Sequence, residues 1–141
     1  MIDVMHLPRD ARTYGELVRD FRWQVPERFN VGRDVCGRHA RHRERFALYF
    51  EDEDGTTAAY TFWDLQQRAN RLSNALAALG IRAGDRVALV LPQRPETAII
   101  HVACYQMAAI VVPLSHLFGP DALEFRLRDS GARAVFVDGE S

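Results

Sequence analysis

The spacing of apolar residues predicts one long amphipathic helix near the middle of the chain. Apolar residues recur there at steps of three and four, which places them on one stripe of a helix. The stripe consists of Leu65, Ala69, Leu72, Leu76 and Leu79. Thr61 and Asp64 have the spacing of a capping box, so we expect the helix to begin after Thr61. Gly80 supplies the left-handed residue that ends it.

A short antiparallel hairpin is predicted directly before this helix. Residues 46–50 and 57–62 are rich in aromatic and β-branched side chains, and the polar segment 51–55 separates them. Two such runs joined by a polar, glycine-containing turn are typical of two paired strands.

The first 42 residues carry weaker patterns. Residues 1–12 show no periodicity and predict an irregular arm, whereas residues 13–23 carry a short apolar stripe, typical of a docking helix, that ends before Pro26. Asn30 is placed to cap a helix over residues 31–42. The apolar face of that helix would consist of Val31, Val35, Cys36 and Ala40.

After residue 80 the pattern changes to strands and helices in alternation. The predicted strands are 86–91, 110–112 and 132–137, and the predicted helices between them are 95–108 and 120–129. Continuous apolar strands linked by helices indicate parallel pairing with right-handed crossovers. The fold class is therefore α/β: an antiparallel hairpin followed by a doubly wound layer of parallel strands alternating with helices.

We expect two parts: an N-terminal arm with its docking helix, residues 1–29, and an α/β subdomain, residues 30–141. The sequence stops directly after a predicted strand, where a further crossover helix is expected. This predicts that the subdomain is incomplete.

Composition narrows the range of functions. The chain has 141 residues with 18 basic residues, all arginine, against 19 acidic residues, for a net charge of -1. This balance argues against a nucleic-acid binder, and the absence of lysine excludes any mechanism that needs a lysine from this chain. No secretory leader or apolar membrane span is visible, so a cytoplasmic protein is expected.

The cysteines and histidines give no sign of a catalytic or metal centre. Cys36 and Cys104 are far apart in sequence and are expected to be buried thiols. The histidines lack metal-ligand spacing, so no metal site is predicted. His101 lies on an apolar helix and is interpreted as a core or edge residue with a satisfied hydrogen bond.

Arginine and histidine are densest from Arg38 to Arg45. This run could contact phosphates, or it could be the solvated face and end of a helix. No aromatic residue is interleaved with it, and acidic residues elsewhere cancel its charge. The sequence therefore favours the solvated face.

One loop has the position and the residue types of a binding segment. Ser115, His116, Leu117 and Phe118 follow the predicted strand 110–112, at the edge where open α/β sheets bind ligands. The loop combines a hydroxyl, an imidazole and a large aromatic ring. The residues alone leave open whether it faces a ligand or only solvent.

Four segments resemble a known family in their order and spacing. Residues 60–65, Tyr-Thr-Phe-Trp-Asp-Leu, and 69–72, Ala-Asn-Arg-Leu, resemble the first core motif of the AMP-forming adenylating enzymes. Residues 84–92 and 107–114 resemble the strand and second core motif that follow. The resemblance covers the chain from about residue 30 onward, and within the superfamily it is nearest to the short- and medium-chain acyl-CoA synthetases.

Three positions depart from the family pattern. Gln106 stands where lysine is frequent, Ser115 where asparagine often follows Pro-Leu, and Ala108 where glycine is usual. Alanine at position 108 predicts ordinary helical backbone angles there.

The resemblance implies an AMP-forming ligase, with ATP, coenzyme A and Mg²⁺ as cofactors. A carboxylic acid is activated to an acyl-adenylate, and the acyl group then passes to coenzyme A. The family's phosphate loop, adenine-stacking aromatic, ribose-binding aspartate and catalytic lysine would all lie beyond Ser141. We therefore expect no catalytic residue in this chain and no activity from it alone.

The resemblance also implies where partners would act. The loop of Ser115, His116, Leu117 and Phe118 would approach the acyl or coenzyme A channel. The expected partners are the acid substrate, the remainder of the same polypeptide and, as a further candidate, a second copy. The alternative reading is a non-catalytic α/β binding or interaction module that keeps the subdomain shape.

Overall fold

Three small sheets and four α-helices occur in the part of the chain that the computed structural model describes, residues 5–6, 12–23 and 26–139. The strands are β1 (Met5–His6), β2 (Arg22–Trp23), β3 (Phe46–Glu51), β4 (Thr57–Thr61), β5 (Arg86–Val90), β6 (Ile110–Leu114) and β7 (Ala134–Val137). The α-helices are α1 (Tyr14–Asp20), α2 (Phe62–Ala78), α3 (Pro95–Gln106) and α4 (Pro120–Ser130).

The parallel sheet has the order β6-β5-β7, with β5 at its centre. Both neighbours pair with β5 in parallel, which confirms the predicted α/β class. Val87 and Ala88 are fully buried, and Leu89 and Val90 are each 2% exposed. Side chains of a strand alternate between its two faces, so β5 is covered on both sides, as its continuous apolar run predicts.

One face of β5 contributes to the larger core cluster, which also draws on α2 and α3. Its buried members are Leu76, Ile81, Val87, Leu89, Ile100, Cys104 and Ala109. A second cluster continues between α2 and α3 toward the hairpin, and its buried members are Cys36, Leu65, Ala69, Ile99, Val102 and Ala103. The two helices thus hold the sheet and the hairpin in one packed unit.

The hairpin and the capping box have the predicted structures. β3 and β4 pair antiparallel, with a register shift between Phe46 and Leu48. At the start of α2, the backbone N–H of Asp64 donates to Oγ1 of Thr61 at 3.2 Å, and the N–H of Thr61 donates to Oδ2 of Asp64 at 2.9 Å. The Thr61 hydroxyl also donates to Oδ2 of Asp64 at 2.7 Å, and this bond, followed by the one from the Thr61 N–H, lowers the pKa of Asp64.

The end of the long helix differs from the prediction at one residue. Leu79 was expected in the buried stripe, but it is 79% exposed, whereas Ile81 is only 6% exposed. The cause is a Schellman motif, in which Ile81 N–H donates to Leu76 O and Gly80 N–H to Ala77 O, both at 3.0 Å. Gly80 has the expected positive φ of 88°. This reversal brings Ile81 into the core and leaves Leu79 in solvent.

The predicted helix over residues 31–42 is wrong as a single α-helix. A π-helical turn spans Arg33–Gly37, and a 3₁₀ turn spans His39–Arg41. Asn30 does cap the segment, because its Oδ1 accepts the N–H of Arg33 at 2.9 Å. Since the hydrogen bond of a π-turn joins residues i and i+5, an apolar stripe predicted at 3.6 residues per turn does not fit this segment.

The same change of turn alters which of the predicted apolar positions are buried. Cys36 and Ala40 are buried, as expected. Val31 and Val35 are 41% and 45% exposed. The apolar face is therefore narrower than the sequence predicts.

The N-terminal arm is less irregular than expected where the structure describes it. Met5–His6 pairs antiparallel with Arg22–Trp23, and residues 1–4 and 7–11 lie outside the described part. α1 covers only Tyr14–Asp20 and contains no buried residue. Its apolar Val18 is 56% exposed among the described residues, and the docking role of the helix stays a prediction.

The remaining helices and strands begin and end within a few residues of the predicted limits. Ala108, however, does not have the predicted backbone conformation. Its φ is +58°, not the helical value predicted for alanine. The residue closes a second Schellman motif, in which Ala109 N–H donates to Cys104 O at 2.9 Å and Ala108 N–H to Tyr105 O at 3.1 Å. Alanine therefore occupies a left-handed position that favours glycine.

We expect Ala108→Gly to stabilise the protein, since a left-handed conformation costs a non-glycine residue about 1 kcal/mol. The urea midpoint of unfolding measures the change. Ala75→Gly is the matched control, because Ala75 is exposed inside α2 and glycine in a helix interior lowers the free energy of unfolding by about 1 kcal/mol. Equal destabilisation by both variants would contradict the left-handed assignment at position 108.

The two leucines at the end of the stripe give a second prediction. Leu76 is 3% exposed, so Leu76→Ala should lower the free energy of unfolding by about 2 to 5 kcal/mol. Leu79→Ala should change it by less than about 0.5 kcal/mol, because the side chain is exposed. Similar losses from both substitutions in a denaturant titration would show that α2 does not end in this motif.

Candidate functional site

The carboxyl edge of the parallel sheet collects the loops that follow its three strands. Leu91 follows β5, Ser115 follows β6 and Asp138 follows β7. Parallel strands all deliver their carboxyl ends to the same edge, which is where open α/β sheets bind ligands. The predicted binding loop, which follows β6, lies at this edge.

The structure brings the four predicted site residues together in one tight turn after β6. Ser115 Oγ accepts the N–H of Leu117 at 3.2 Å, and Ser115 O accepts the N–H of Phe118 at the same distance. Ser115 and His116 are exposed, and Leu117 is 81% exposed. The turn thus presents a hydroxyl, an imidazole and an isobutyl group to the outside.

Phe118 is held differently from its three neighbours. It is half-buried, and the guanidinium of Arg126, in the second turn of α4, lies 4.2 Å from the centre of its ring. A cation at this distance from an aromatic face is attracted to it. Gly119 and Pro120 then start α4, so the loop is fixed at both ends by regular structure.

An apolar cleft of about 340 Å³ opens at the same edge on the side of β7. Its lining consists of Leu72, Leu91, Arg94, Glu96, Ile99, Ile100, Phe136, Val137 and Asp138. None of the four loop residues belongs to this lining, since they follow β6 on the other side of β5. Sequence reasoning missed the cleft, although Leu91 and Asp138 occupy positions after strands that are equivalent to that of Ser115.

The cleft is largely apolar despite the charged residues at its rim. Nε of Arg94 lies 3.5 Å from Oε2 of Glu96, and both side chains are about half exposed. An exposed pair of this kind contributes little to stability. The largely apolar lining of the cleft can therefore take an apolar group.

No metal centre is found among the described residues, and neither cysteine thiol is activated as a nucleophile. The described residues contain no group of three or more His, Cys, Asp or Glu side chains that could hold a metal ion. Burial raises the pKa of the Cys36 thiol and raises that of Cys104 to about 11. Both thiols are therefore protonated at neutral pH, and both are buried, as predicted.

The lowered pKa of Asp85 and the position of His101 on its helix both have structural explanations. The pKa of Asp85 is lowered first by the hydrogen bond from the Arg82 N–H and further by Arg133, at the opposite end of β5 from the candidate loop. His101 Nδ1 lies 2.8 Å from Thr97 O, and its ring packs edge-on against Tyr105. His101 is thus a satisfied edge residue, as predicted.

The arginine run from Arg38 to Arg45 is mostly exposed, as the sequence favoured. Arg43 nevertheless stacks over the ring of Trp63 at 4.4 Å, and Arg45 lies 5.8 Å from the ring of Phe62. Part of the run therefore packs against the start of α2 rather than extending freely into water.

No helix in the described part of the chain is long and apolar enough to cross a membrane.

Comparison with known sequences finds a protein family that matches most of the chain. A profile described as "AMP-binding enzyme" matches residues 37–141. The acetyl-coenzyme A synthetase of Streptomyces coelicolor is 37% identical over 118 residues, which make up 82% of this chain and 18% of that protein. The acetyl-coenzyme A synthetase of Gemmatimonas aurantiaca is 38% identical over 104 residues, 73% of this chain and 16% of that protein.

Structure comparison agrees on the fold. An acyl-CoA synthetase from Brucella canis superposes with a TM-score of 0.72 and 38% identity, covering 76% of this chain and 20% of that one. The N-terminal subdomain of Klebsiella oxytoca NpsA superposes with a TM-score of 0.68 and 24% identity, covering 79% of this chain and 28% of that one. The chain thus spans about a fifth of the length of the full synthetases it matches.

Proposed function

Because the chain belongs to the family of AMP-binding enzymes, we propose that it forms the N-terminal part of an AMP-forming acid–CoA ligase. Such a ligase activates a carboxylic acid with ATP and transfers the acyl group to coenzyme A. The observation that carries the proposal is the similarity to acetyl-coenzyme A synthetases over 82% of the chain. That similarity favours a ligase over a non-catalytic α/β module.

The same similarity supports a short-chain acid as substrate. Acetyl-coenzyme A synthetases from several bacteria match the chain at 34% to 38% identity. Acetate is therefore the first candidate acid, followed by longer short- and medium-chain acids.

This chain's contribution would be structural and positional rather than chemical. It has no lysine, and the described residues do not form a cluster that fits Mg²⁺. ATP, Mg²⁺ and the reacting groups would therefore be held by residues outside these 141 positions. The packed unit of β5, α2 and α3 would support them and hold the carboxyl edge in place.

The loop of Ser115, His116, Leu117 and Phe118 would line the acyl or coenzyme A channel. The exposed side chain of Leu117 offers an apolar contact for an acyl or pantetheine chain. The backbone bonds to Ser115 and the packing of Phe118 on Arg126 keep that side chain at a fixed place on the edge. A fixed apolar contact binds a flexible chain at a smaller entropic cost than a mobile one.

The test is pyrophosphate release and acyl-CoA formation with ATP, Mg²⁺, coenzyme A and acetate, butyrate or octanoate. The polypeptide encoded by the whole reading frame and the 141-residue chain are assayed side by side. We expect turnover by the whole polypeptide, fastest with acetate, and none by the 141-residue chain. Equal turnover by both would place the active site within this chain, and no adenylation by the whole polypeptide would reject the ligase.

A loop variant of the whole polypeptide tests the channel. Leu117→Asp should raise the KM for the acid or coenzyme A at least fivefold, which corresponds to about 1 kcal/mol. Tyr49→Asp is the matched control, because Tyr49 is 78% exposed on the hairpin, away from the edge, and should change KM less than twofold. Unchanged KM values for Leu117→Asp would remove the loop from the channel.

A further inference from the structure

A second cleft, of about 520 Å³, lies away from the carboxyl edge of the sheet. Its lining consists of Arg28, Phe29, Asn30, Arg33, Asp34, Arg38 and Arg41. We propose that this arginine cleft binds a phosphate-bearing anion. The proposal goes beyond the ligase reaction and does not depend on it.

The charge of the arginine cleft is strongly unbalanced. Its single carboxylate, Asp34, is paired with Arg38, with 2.8 Å between Oδ1 and the guanidinium. No ion pair joins Arg28, Arg33 or Arg41 to a carboxylate of the described residues. Three guanidiniums therefore share one concave surface with no anion to balance them, although the whole chain has a net charge of -1.

The π-helical turn explains why these arginines converge. Arg38 N–H donates to Arg33 O at 2.9 Å, so residue i+5 closes the turn. In an α-helix, residues five apart point about 140° away from each other. The wider turn instead keeps Arg33 and Arg38 on the same cleft, and the 3₁₀ turn that follows adds Arg41.

The turn is held in this form by close packing on α3. A side chain at Gly32 would place its Cβ 2.7 Å from the backbone N of Gln106. The side chain of Asn30 connects the turn to the end of α3, since its Oδ1 accepts from Arg33 N–H and its Nδ2 donates to Gln106 O at 3.2 Å. The base of the arginine cleft is thus fixed to the core, while the guanidiniums of Arg28, Arg33 and Arg41 remain available for a ligand.

The chemistry of the lining favours phosphate. A guanidinium presents a planar fork of N–H donors that matches two phosphate oxygens at once. Phe29, which is 46% exposed in the same cleft, offers a ring face on which a base can stack. The volume is in the range of small-molecule sites, whereas an acidic protein partner needs a much wider surface.

Binding of inorganic pyrophosphate and of ADP to the 141-residue chain, measured by calorimetry at low salt, tests the proposal. The variant Arg33→Gln/Arg41→Gln removes two cleft arginines. Arg71→Gln/Arg82→Gln is the matched control, because it removes the same charge at exposed positions outside the cleft. We expect saturable binding to the unmodified chain, at least tenfold weaker binding to the first variant, and less than a twofold change in the control.

Three outcomes would overturn the proposal: no saturable binding, equal losses in both double variants, or binding of an oligoglutamate peptide without binding of pyrophosphate. If Arg33→Gln/Arg41→Gln does not fold, Arg28→Gln, which lies outside both turns, replaces it with the same expectation. ADP binding that is tighter than pyrophosphate binding and is lost in Phe29→Ala identifies a nucleotide as the ligand. Equal binding of the two anions identifies the phosphate group alone. The assay contains no acid substrate, so failure of the ligase proposal leaves its result unaffected.

Discussion

The burial of β5 on both faces is the constraint on which the rest of the structure depends. Four consecutive side chains, Val87 to Val90, are removed from solvent almost completely. Complete burial of one apolar side chain stabilises a fold by roughly 1.5 to 3 kcal/mol, so this short strand carries a large share of the available stability. β6 and β7 must lie beside it, which gathers the three strand ends at one edge.

Other contacts hold the helices to this strand. Arg86, at the start of β5, donates from Nε to Ser130 O at 2.9 Å and from a terminal nitrogen to Gly131 O at 3.0 Å. A cation at these free carbonyls stabilises the end of α4. On the side of α2, fully buried Ala69 and Ala103 allow α2 and α3 to pack closely, and Ser73 Oγ lies within hydrogen-bonding distance of the backbone oxygens of both. α4 and the loop before it are thus held to the sheet mainly at the two ends of the helix. α2 and α3, in contrast, form the rigid side of the subdomain.

Local signals in the sequence predicted the elements that depend on local chemistry. The capping box at Thr61, the hairpin and the continuous apolar run of β5 all specify their structure within a few residues. The order of the motifs also predicted the family, which sequence comparison confirms. The position of the loop at Ser115 could be predicted because a parallel sheet delivers every strand end to one edge.

The predictions failed where distant packing decides the outcome. Leu79 fits the helical period, but the Schellman motif at Gly80 buries Ile81 instead. The close approach of Gly32 to Gln106, 74 positions along the chain, accompanies the π-turn that a 3.6-residue period does not describe. The apolar cleft at the sheet edge is lined by residues as far apart in sequence as Leu72 and Phe136, so no local pattern could predict it.

Hydrogen exchange of the backbone amides in the 141-residue chain tests the central claim most directly, namely that β5, α2 and α3 form a rigid unit to which α4 is attached mainly at its ends. The amides of β5, α2 and α3 should exchange slowest, at the rate of global unfolding, and those of α4, which has no buried residue, should exchange faster through local opening. Mass spectrometry of peptides from the exchanged protein measures both groups in one experiment. Uniform protection across the sheet and α4, or faster exchange in β5 than in α4, would contradict the account.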